Sequence, residues 1–200
     1  MPRRILHLFA HPALDRSRVN RPLAEAVKGM DGVTHVDLYA RYPDFNVDVP
    51  LEQAQLVEAD VIVFQHPFFW YSSPALLKEW QDLVLEHGFA YGDGGTALAG
   101  KALWTVTTTG GVAEAYCAGG HNCFTMEEFL RPFQQTAGLC GMRYLPPFVV
   151  HGSHRLDAAG IAAHADRLRA AVARVADPAT DLARLEDWEP SAGGRSGVAR

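Results

Sequence analysis

Three short segments of the chain carry the residue types with the clearest chemical use. The first runs from His11 to Asn20 and leads into a helical pattern, where free backbone amides and the helix dipole favour an anion. Ser17 and Asn20 add neutral hydrogen-bond donors, and His11 and Arg18 can add positive charge. This segment predicts a phosphate cradle without a P-loop lysine, unless Ser17 and Asn20 merely cap the helix.

The second segment is a run of four aromatic residues, Phe68, Phe69, Trp70 and Tyr71, within FQHPFFWYSSPALLKEW. It directly follows an apolar run of strand length and precedes a helical pattern. A core strand would alternate or stay aliphatic, and a helix start would be polar, so the run needs another explanation. It offers a flat, dry wall for a planar ring, and ordinary core packing is the alternative.

The third segment is Thr107-Thr-Thr-Gly-Gly111, after another apolar run. It combines backbone amides, small side chains and glycines that let a ligand approach the main chain closely. A plain turn is the alternative. No G-x-G-x-x-G dinucleotide fingerprint follows a buried strand in this sequence.

The elements that must position these segments alternate between strand and helix patterns. Strands are predicted at residues 5–10, 34–38, 61–64, 102–107 and 143–150, the last interrupted by Pro146-Pro147 at an edge or a bulge. Helices are predicted at residues 20–30, 51–59, 74–86, 126–137 (kinked or split by Pro132) and 158–176, and residues 39–50 are loop-like. The order predicts an α/β fold: a five-stranded parallel sheet in the flavodoxin-like order 2-1-3-4-5, with helices on both faces.

In such a sheet, ligands bind beyond the carboxyl ends of the strands, near the point where the strand order reverses. The three segments follow strands one, three and four, which are neighbours in the predicted order. We therefore expect them to meet. A phosphate at one end, a flat ring against aromatics, and amides over the ring edge together describe flavin mononucleotide.

Composition limits the other function classes. The 200 residues suffice for one buried domain, and a net charge of −5 gives no reason to expect nucleic acid as a partner. The three cysteines suit a reducing compartment, no apolar run approaches the roughly 18 residues of a membrane span, and the short apolar start ends in His-Pro. We predict a cytoplasmic protein with a flavin-binding domain at residues 1–176 and a flexible tail at 177–200.

Cys117, His121 and Cys123 superficially suggest a metal site. Their spacing matches no familiar zinc site and no fourth ligand is evident, so we predict no bound metal.

The quoted motifs also carry a family likeness. AHP followed by Ser17 and Asn20, FQHPFFWYSSPALLKEW, FAYGDGGTALAGK and TTGG together resemble the NAD(P)H:quinone oxidoreductases of the flavodoxin-like fold, the DT-diaphorase type. YPDFNVDV and LPPF make the sequence most similar to the ancillary quinone reductases of bacterial glutathione-regulated potassium-efflux systems. The likeness runs from about residue 4 to residue 175.

The resemblance implies a role for each segment. His11, Ser17, Arg18 and Asn20 would hold the flavin phosphate; Pro67, Phe68, Phe69, Trp70 and Tyr71 would line the isoalloxazine; Thr108, Thr109, Gly110 and Gly111 would cover its pyrimidine edge. Tyr116 and His121 would be the donors at the substrate end, although His121 lies one residue closer to the tyrosine than in DT-diaphorase. Position 69 is Phe where several relatives carry Gln.

The implied reaction is a ping-pong, two-electron reduction of a quinone or related electrophile by NAD(P)H through tightly bound FMN, with FAD as the other flavin to consider. The resemblance also implies a homodimer with its active site at the interface. The alternative function is a regulatory subunit that activates a potassium-efflux transporter, with reductase activity secondary, which would place the protein beside the inner membrane. A one-electron flavodoxin fits less well, since those are usually shorter, strongly acidic, and without the aromatic wall.

Overall fold

The strands of the described chain, residues 1–185 of a computed structural model, form one parallel sheet. They are β1 (Ile5–Phe9), β2 (Val33–Asp37), β3 (Val61–Pro67), β4 (Ala102–Thr108), β5 (Arg143–Tyr144) and β6 (Phe148–Val150). The order β2-β1-β3-β4-β5, with β6 also paired to β4, confirms the predicted flavodoxin-like arrangement. Every residue of β1, β3 and β4 is buried, which explains why these strands are mostly apolar.

The helices cover the two faces of this sheet. They are α1 (Asn20–Val27), α2 (Leu38–Arg41), α3 (Val49–Glu58), α4 (Ala75–Val84), α5 (Met126–Phe129), α6 (Arg131–Leu139) and α7 (Ala158–Ala176). Helices α1 and α7 pack on one face, and α3, α4 and α6 contribute the core of the other. Within residues 1–185, no helix has the length and apolar character that crossing a membrane would require.

The predicted fifth strand is divided into two, so the sheet has six strands instead of the expected five. Ala102 pairs with Arg143, whereas Val106 pairs with Phe148, so the edge chain advances one residue relative to β4 between the two pairs. Pro146-Pro147 lies in this gap, where the missing N–H groups break no ladder bond. The prolines therefore mark both an edge and a bulge.

Two local predictions are corrected. Residues 38–41 form α2 instead of the end of a strand and a loop, because the Asp37 carboxylate accepts from the Ala40 amide 3.1 Å away and caps this short turn. Asn20 is the first residue of α1 and makes no capping bond.

Pro132 splits the predicted helix at 126–137 in two. It occupies the first turn of α6, where its missing N–H has no helical partner to lose.

Glu52 is a fully buried carboxylate on α3 that sequence alone does not distinguish from a surface glutamate. Its Oε1 accepts from the Arg41 guanidinium and from the Tyr42 hydroxyl, each at 2.7 Å, and its Oε2 accepts from the Trp80 indole at 2.9 Å. Burial and the nearby carboxylate raise the pKa of Tyr42 to about 12, so its phenol stays a donor. This cluster ties α2, α3 and α4 together on one face of the sheet.

The beginning of the predicted tail packs against the amino terminus. Arg3 donates to the backbone oxygens of Val175, Asp177 and Thr180, and Leu185 is buried. Residues 186–200, the rest of the predicted flexible tail, lie outside the described residues.

Candidate functional site

The loop after β1 reaches across to the end of β4 through Asn20. The Asn20 side chain is buried, and its Nδ2 donates to Thr108 Oγ1 at 2.6 Å. Its Oδ1 is buried without a hydrogen-bond partner. Ser17 does support the start of the helix, because its hydroxyl accepts from the Arg21 amide at 3.2 Å. The cap alternative therefore holds for Ser17 and not for Asn20, whose amide is directed toward another strand.

The two residues predicted to bring positive charge behave differently. His11 is buried, and burial lowers its pKa against the opposing effect of Asp37. Its Nδ1 accepts from the Ala13 amide at 3.1 Å, so the imidazole is neutral near pH 7 and does not supply the expected charge. Arg18 is exposed and donates to the Leu156 carbonyl at 2.9 Å, which ties this loop to the one before α7.

A buried polar chain supports the loop from below. Gln65 on β3 donates to the Asn20 carbonyl at 2.9 Å, so its Oε1 is the acceptor for His7 Nε2 at 2.9 Å. The remaining His7 nitrogen then accepts from His35 Nδ1, also at 2.9 Å. Burial first, and His35 second, lower the pKa of His7 to about 3, which keeps its ring neutral. The first turn of α1 is thus fixed by interior hydrogen bonds.

The aromatic run is a tight turn rather than a core strand. The Phe68 amide donates to the Thr108 carbonyl at 2.8 Å, and Phe69 and Ser72 exchange backbone hydrogen bonds at 3.2 and 2.9 Å. Between them Trp70 and Tyr71 have φ of 48° and 62°, the left-handed region that bulky side chains avoid. Two successive positive φ values are the signature of a type I′ turn, which normally takes Asn-Gly. Trp70 is 92% exposed at its tip.

Part of the run joins an aromatic cluster. Phe68 packs edge-on against Tyr116 and Phe129 at ring-centroid distances of 6.1 and 5.6 Å, and Tyr71 stacks on Phe129 at 5.1 Å. On the other side, Phe69 meets the His11 ring at 6.1 Å. The aromatic turn therefore contacts both flanking segments, and the core-packing alternative applies to Phe68 alone.

The segment after β4 has no room for side chains at its glycines. A Cβ on Gly111 would lie 2.9 Å from the Tyr116 ring, and a Cβ on Gly110 would lie 2.8 Å from the His154 ring. Thr109 Oγ1 accepts from the Gly111 amide at 3.2 Å and forms a short hydrogen bond with the Tyr116 hydroxyl. The Gly111 amide is therefore already engaged, and Tyr116 lies directly over the glycine pair.

The structure thus brings the three segments together at one edge of the sheet. The Asn20–Thr108 bond joins the first to the third, the Phe68–Thr108 bond joins the second to the third, and the His11–Phe69 contact joins the first to the second. Pro67 closes β3 beside Thr108 in the register.

His121 is the predicted residue that the structure does not connect to this cluster. It is exposed, and within residues 1–185 its imidazole makes no hydrogen bond or ring contact. Sequence reasoning missed His151, whose ring lies 5.5 Å from that of Tyr116. The rule that carboxyl strand ends converge could have found it, had the end of the fifth strand been included. Among residues 1–185, no three His, Cys, Asp or Glu side chains group as metal ligands.

Two fully buried histidines below the site predict acid sensitivity. Burial lowers the pKa of His66 to about 4 and that of His7 to about 3, from 6.5. Between the lowered pKa of each folded histidine and the unfolded value of 6.5, the folded state binds fewer protons than the unfolded state. The contribution of these histidines to the free energy of unfolding is therefore fully present above pH 6.5 and falls as the pH drops toward 4. We expect each histidine to contribute a loss of about 2 kcal/mol between pH 7 and 5, measured by urea unfolding.

His66→Asn is the matched variant for this measurement. It retains a donor for the Pro67 carbonyl, which accepts from His66 Nδ1 at 3.0 Å. The variant should lose about 2 kcal/mol of the change between pH 7 and 5, and an unchanged slope would contradict the assignment.

Comparison with known proteins places these features in context. The model of a family described as having the flavodoxin-like fold matches residues 3–172. The glutathione-regulated potassium-efflux system ancillary protein KefG of Yersinia enterocolitica is 48% identical over 164 residues, 82% of this chain and 89% of that protein.

Solved structures are similar over most of their length. General stress protein 14 of Treponema denticola, in complex with FMN, has a TM-score of 0.81 at 36% identity and covers 86% of this chain and 99% of its own. An NADPH-quinone reductase from P. pentosaceus has a TM-score of 0.77 at 33% identity, covering 88% and 98%. A thermophilic tryptophan halogenase from Streptomycin violaceusniger has a TM-score of 0.80 at 46% identity, covering 82% and 95%. These proteins are named for different activities, so the reaction of this chain must be argued from its site.

Proposed function

Because the chain belongs to the flavodoxin-like fold family, we propose that it is an FMN-dependent oxidoreductase that reduces quinones with NAD(P)H. The observation that carries the proposal is the convergence of three loops on one strand-end site, joined at Thr108. The FMN complex of a 36% identical protein and the quinone reductase at 33% identity support the cofactor and the substrate class.

The residues fit an FMN phosphate at the first loop. Rotating the Asn20 amide by half a turn leaves Oδ1 to accept from the Thr108 hydroxyl and puts a donor where an unpartnered oxygen now lies. Ser17 adds a hydroxyl and Arg18 the positive charge, and the backbone amides at the start of α1 add further donors. A phosphate would satisfy groups that the protein alone leaves unmatched.

The other predicted residues fit the ring system. Pro67 and the run from Phe68 to Tyr71 would line its flat face, and Thr108, Thr109, Gly110 and Gly111 would border its polar edge. The strained φ values of Trp70 and Tyr71 support a functional reason for the turn, since bulky residues hold such values at a cost of about 1–3 kcal/mol each.

When bound, the flavin supplies hydride transfer between NAD(P)H and the quinone in two alternating half-reactions. The chain's own contribution is binding, orientation and proton placement. Thr109 holds the Tyr116 hydroxyl beside Gly111, where the phenol can donate a proton to an acceptor oxygen as charge develops. His121 is the second predicted donor, and its exposed position requires it to approach with the substrate or with a partner chain.

A homodimer with the site at its interface is also part of the proposal. Four aromatic side chains on the site loops are exposed, from 42% for Phe69 to 92% for Trp70; the other two are Tyr71 and Phe124. An apolar surface of this kind is commonly covered in soluble proteins. Light scattering of purified protein should give twice the chain mass, and a monomer that still reduces quinone would contradict this arrangement.

The second candidate function is that of an ancillary subunit of a potassium-efflux transporter. The 48% identity to KefG favours it. Co-purification with such a transporter, together with transporter activation by a variant that cannot reduce quinone, would support this function over the enzyme.

The direct test is to release the cofactor from purified protein and identify it by mass. The holoprotein should contain one FMN per chain, lose its flavin absorbance on NADH or NADPH addition, and recover it with benzoquinone. FAD in place of FMN, or absorbance that NAD(P)H does not change, would refute the corresponding part of the proposal.

Replacing Asn20 with alanine should weaken FMN binding about 10-fold, the effect of one lost hydrogen bond to a charged group, about 1.5 kcal/mol. Fluorescence titration of the cofactor-free protein with FMN measures this affinity. Thr136→Ala is the matched control, because it also removes one side-chain hydrogen bond, at 2.9 Å to Pro132, far from the site. Equal affinity in wild type and the Asn20 variant would remove Asn20 from the phosphate site.

A further inference from the structure

His151 is held against the site by backbone hydrogen bonds on both of its sides. The Thr109 amide donates to the Val150 carbonyl at 2.9 Å, and the Gly152 amide donates to the Gly111 carbonyl at 2.8 Å. The loop after β6 is therefore hydrogen-bonded to the loop after β4 over consecutive residues. This places His151 beside the Thr109–Gly111 segment without any flexible connection between them.

The His151 side chain is directed at Tyr116. The two ring centroids are 5.5 Å apart with an interplanar angle of 47°. Its Nδ1 is buried without a hydrogen-bond partner. A buried, unpartnered ring nitrogen is costly, and its persistence beside a site residue needs an explanation.

Tyr116 is held by several contacts. Its hydroxyl is bonded to Thr109, its ring edges meet Phe68 and Phe129 at 6.1 and 6.2 Å, and its ring lies 5.5 Å from that of His151. Phe68 and Phe129 are apolar, so Thr109 and His151 are the polar side chains among these contacts.

We propose that His151 is the positioning residue of Tyr116, an inference that rests on the reductase function proposed above and adds to it a second side chain for proton placement. His151 keeps the phenol ring over Gly111 so that its hydroxyl meets the acceptor oxygen.

The charge state of His151 is set by its surroundings. Burial lowers its pKa, and Glu114 and the Gly111 backbone oppose that effect. The titratable groups facing it are Glu114 and Tyr116, with His154 on its own loop against Gly110.

A double-mutant cycle on the holoprotein tests the proposal. His151→Phe retains the ring and removes both nitrogens, and Tyr116→Phe removes the hydroxyl. Each single variant should lower kcat for benzoquinone about 10-fold, with FMN affinity and the NAD(P)H bleaching rate within 2-fold of wild type. The double variant should be no slower than the slower single variant, because both changes remove one unit.

The same cycle with His121→Phe distinguishes the two histidines. The assignment would be overturned if the kcat losses of His151→Phe and Tyr116→Phe multiplied in the double variant. It would also be overturned if the losses of His121→Phe and Tyr116→Phe failed to multiply. His151→Asn and His151→Gln, which each restore a polar atom near one ring nitrogen, show which nitrogen matters through the recovery of kcat.

A readout without cofactor separates this inference from the proposed reaction. In cofactor-free protein carrying ¹³C-labelled tyrosine, the Tyr116 Cζ resonance should shift with an inflection below the usual pKa range of histidine, and the inflection should vanish in His151→Phe. An inflection that survives in that variant would overturn the inference even if quinone reduction is confirmed. Its disappearance would support the positioning role even if the natural acceptor is not a quinone.

Discussion

Replacing Glu52 with alanine should lower the free energy of unfolding by about 3–5 kcal/mol. The carboxylate is fully buried and accepts three hydrogen bonds, from Arg41, Tyr42 and Trp80. Its removal would leave a partly buried guanidinium without its counter-charge and two buried donors without acceptors. Urea unfolding at pH 7 measures the loss. Glu52→Gln should fall between wild type and alanine, because one amide oxygen can still accept.

Glu58→Ala is the matched control for this measurement. Glu58 lies on the same helix and pairs with Arg4, but the two side chains are 74% and 55% exposed. Solvent screening limits such a pair to about 0–1 kcal/mol. Similar losses in the two variants would show that the buried cluster contributes no more than a surface ion pair.

Trp70→Asn should make the protein more stable and a poorer flavin binder. Asparagine tolerates the φ of 48° at this turn position, so relief of strain should raise the free energy of unfolding by about 1 kcal/mol. The 92% exposed indole makes little contact that could be lost in the isolated chain. If half of its surface covers the flavin, about 100 Å², its loss removes about 2.5 kcal/mol of binding, or roughly 70-fold in affinity.

Urea unfolding and FMN titration of the same preparations measure both effects. Phe45→Asn is the control, because Phe45 also has a positive φ of 63° but, within residues 1–185, its ring contacts only that of Tyr39, at 5.9 Å. Phe45→Asn should relieve comparable strain, although the lost ring contact with Tyr39 offsets part of the gain in the free energy of unfolding. It should leave FMN affinity unchanged. A Trp70 variant that binds FMN normally would mean that the turn is strained for another reason.

The fold was predictable because its buried strands appear in the sequence as short runs of mostly apolar residues. Strands β1, β3 and β4 are buried and mostly apolar, and the last helix was predicted at its observed bounds, 158–176, where Asp157 caps its first turn. Helix α2 was missed because four residues are too few to show a helical period, and only the Asp37 cap defines it. The burial of Glu52 was equally hidden, since its three donors come from other elements.

The site was predictable only to the level of which loops meet. The strand-end rule brought the three segments together, but it could not say that Asn20 reaches Thr108 instead of capping its helix. His151 and Phe129 were not predicted as site residues, because their positions beside the site depend on how β6 and α5 pack, which local patterns do not encode. The neutrality of His11 follows from burial, which a sequence position cannot reveal.

The divided strand at the β5 side of the sheet has a consequence for self-association. An uninterrupted rim of free N–H and C=O groups invites another chain to add a strand, which is a common start of aggregation. Here Pro146 and Pro147 supply no N–H groups, and the one-residue offset between the β5 and β6 pairings prevents a straight template. The β5–β6 rim is therefore a poor template for joining the sheets of two copies of this chain.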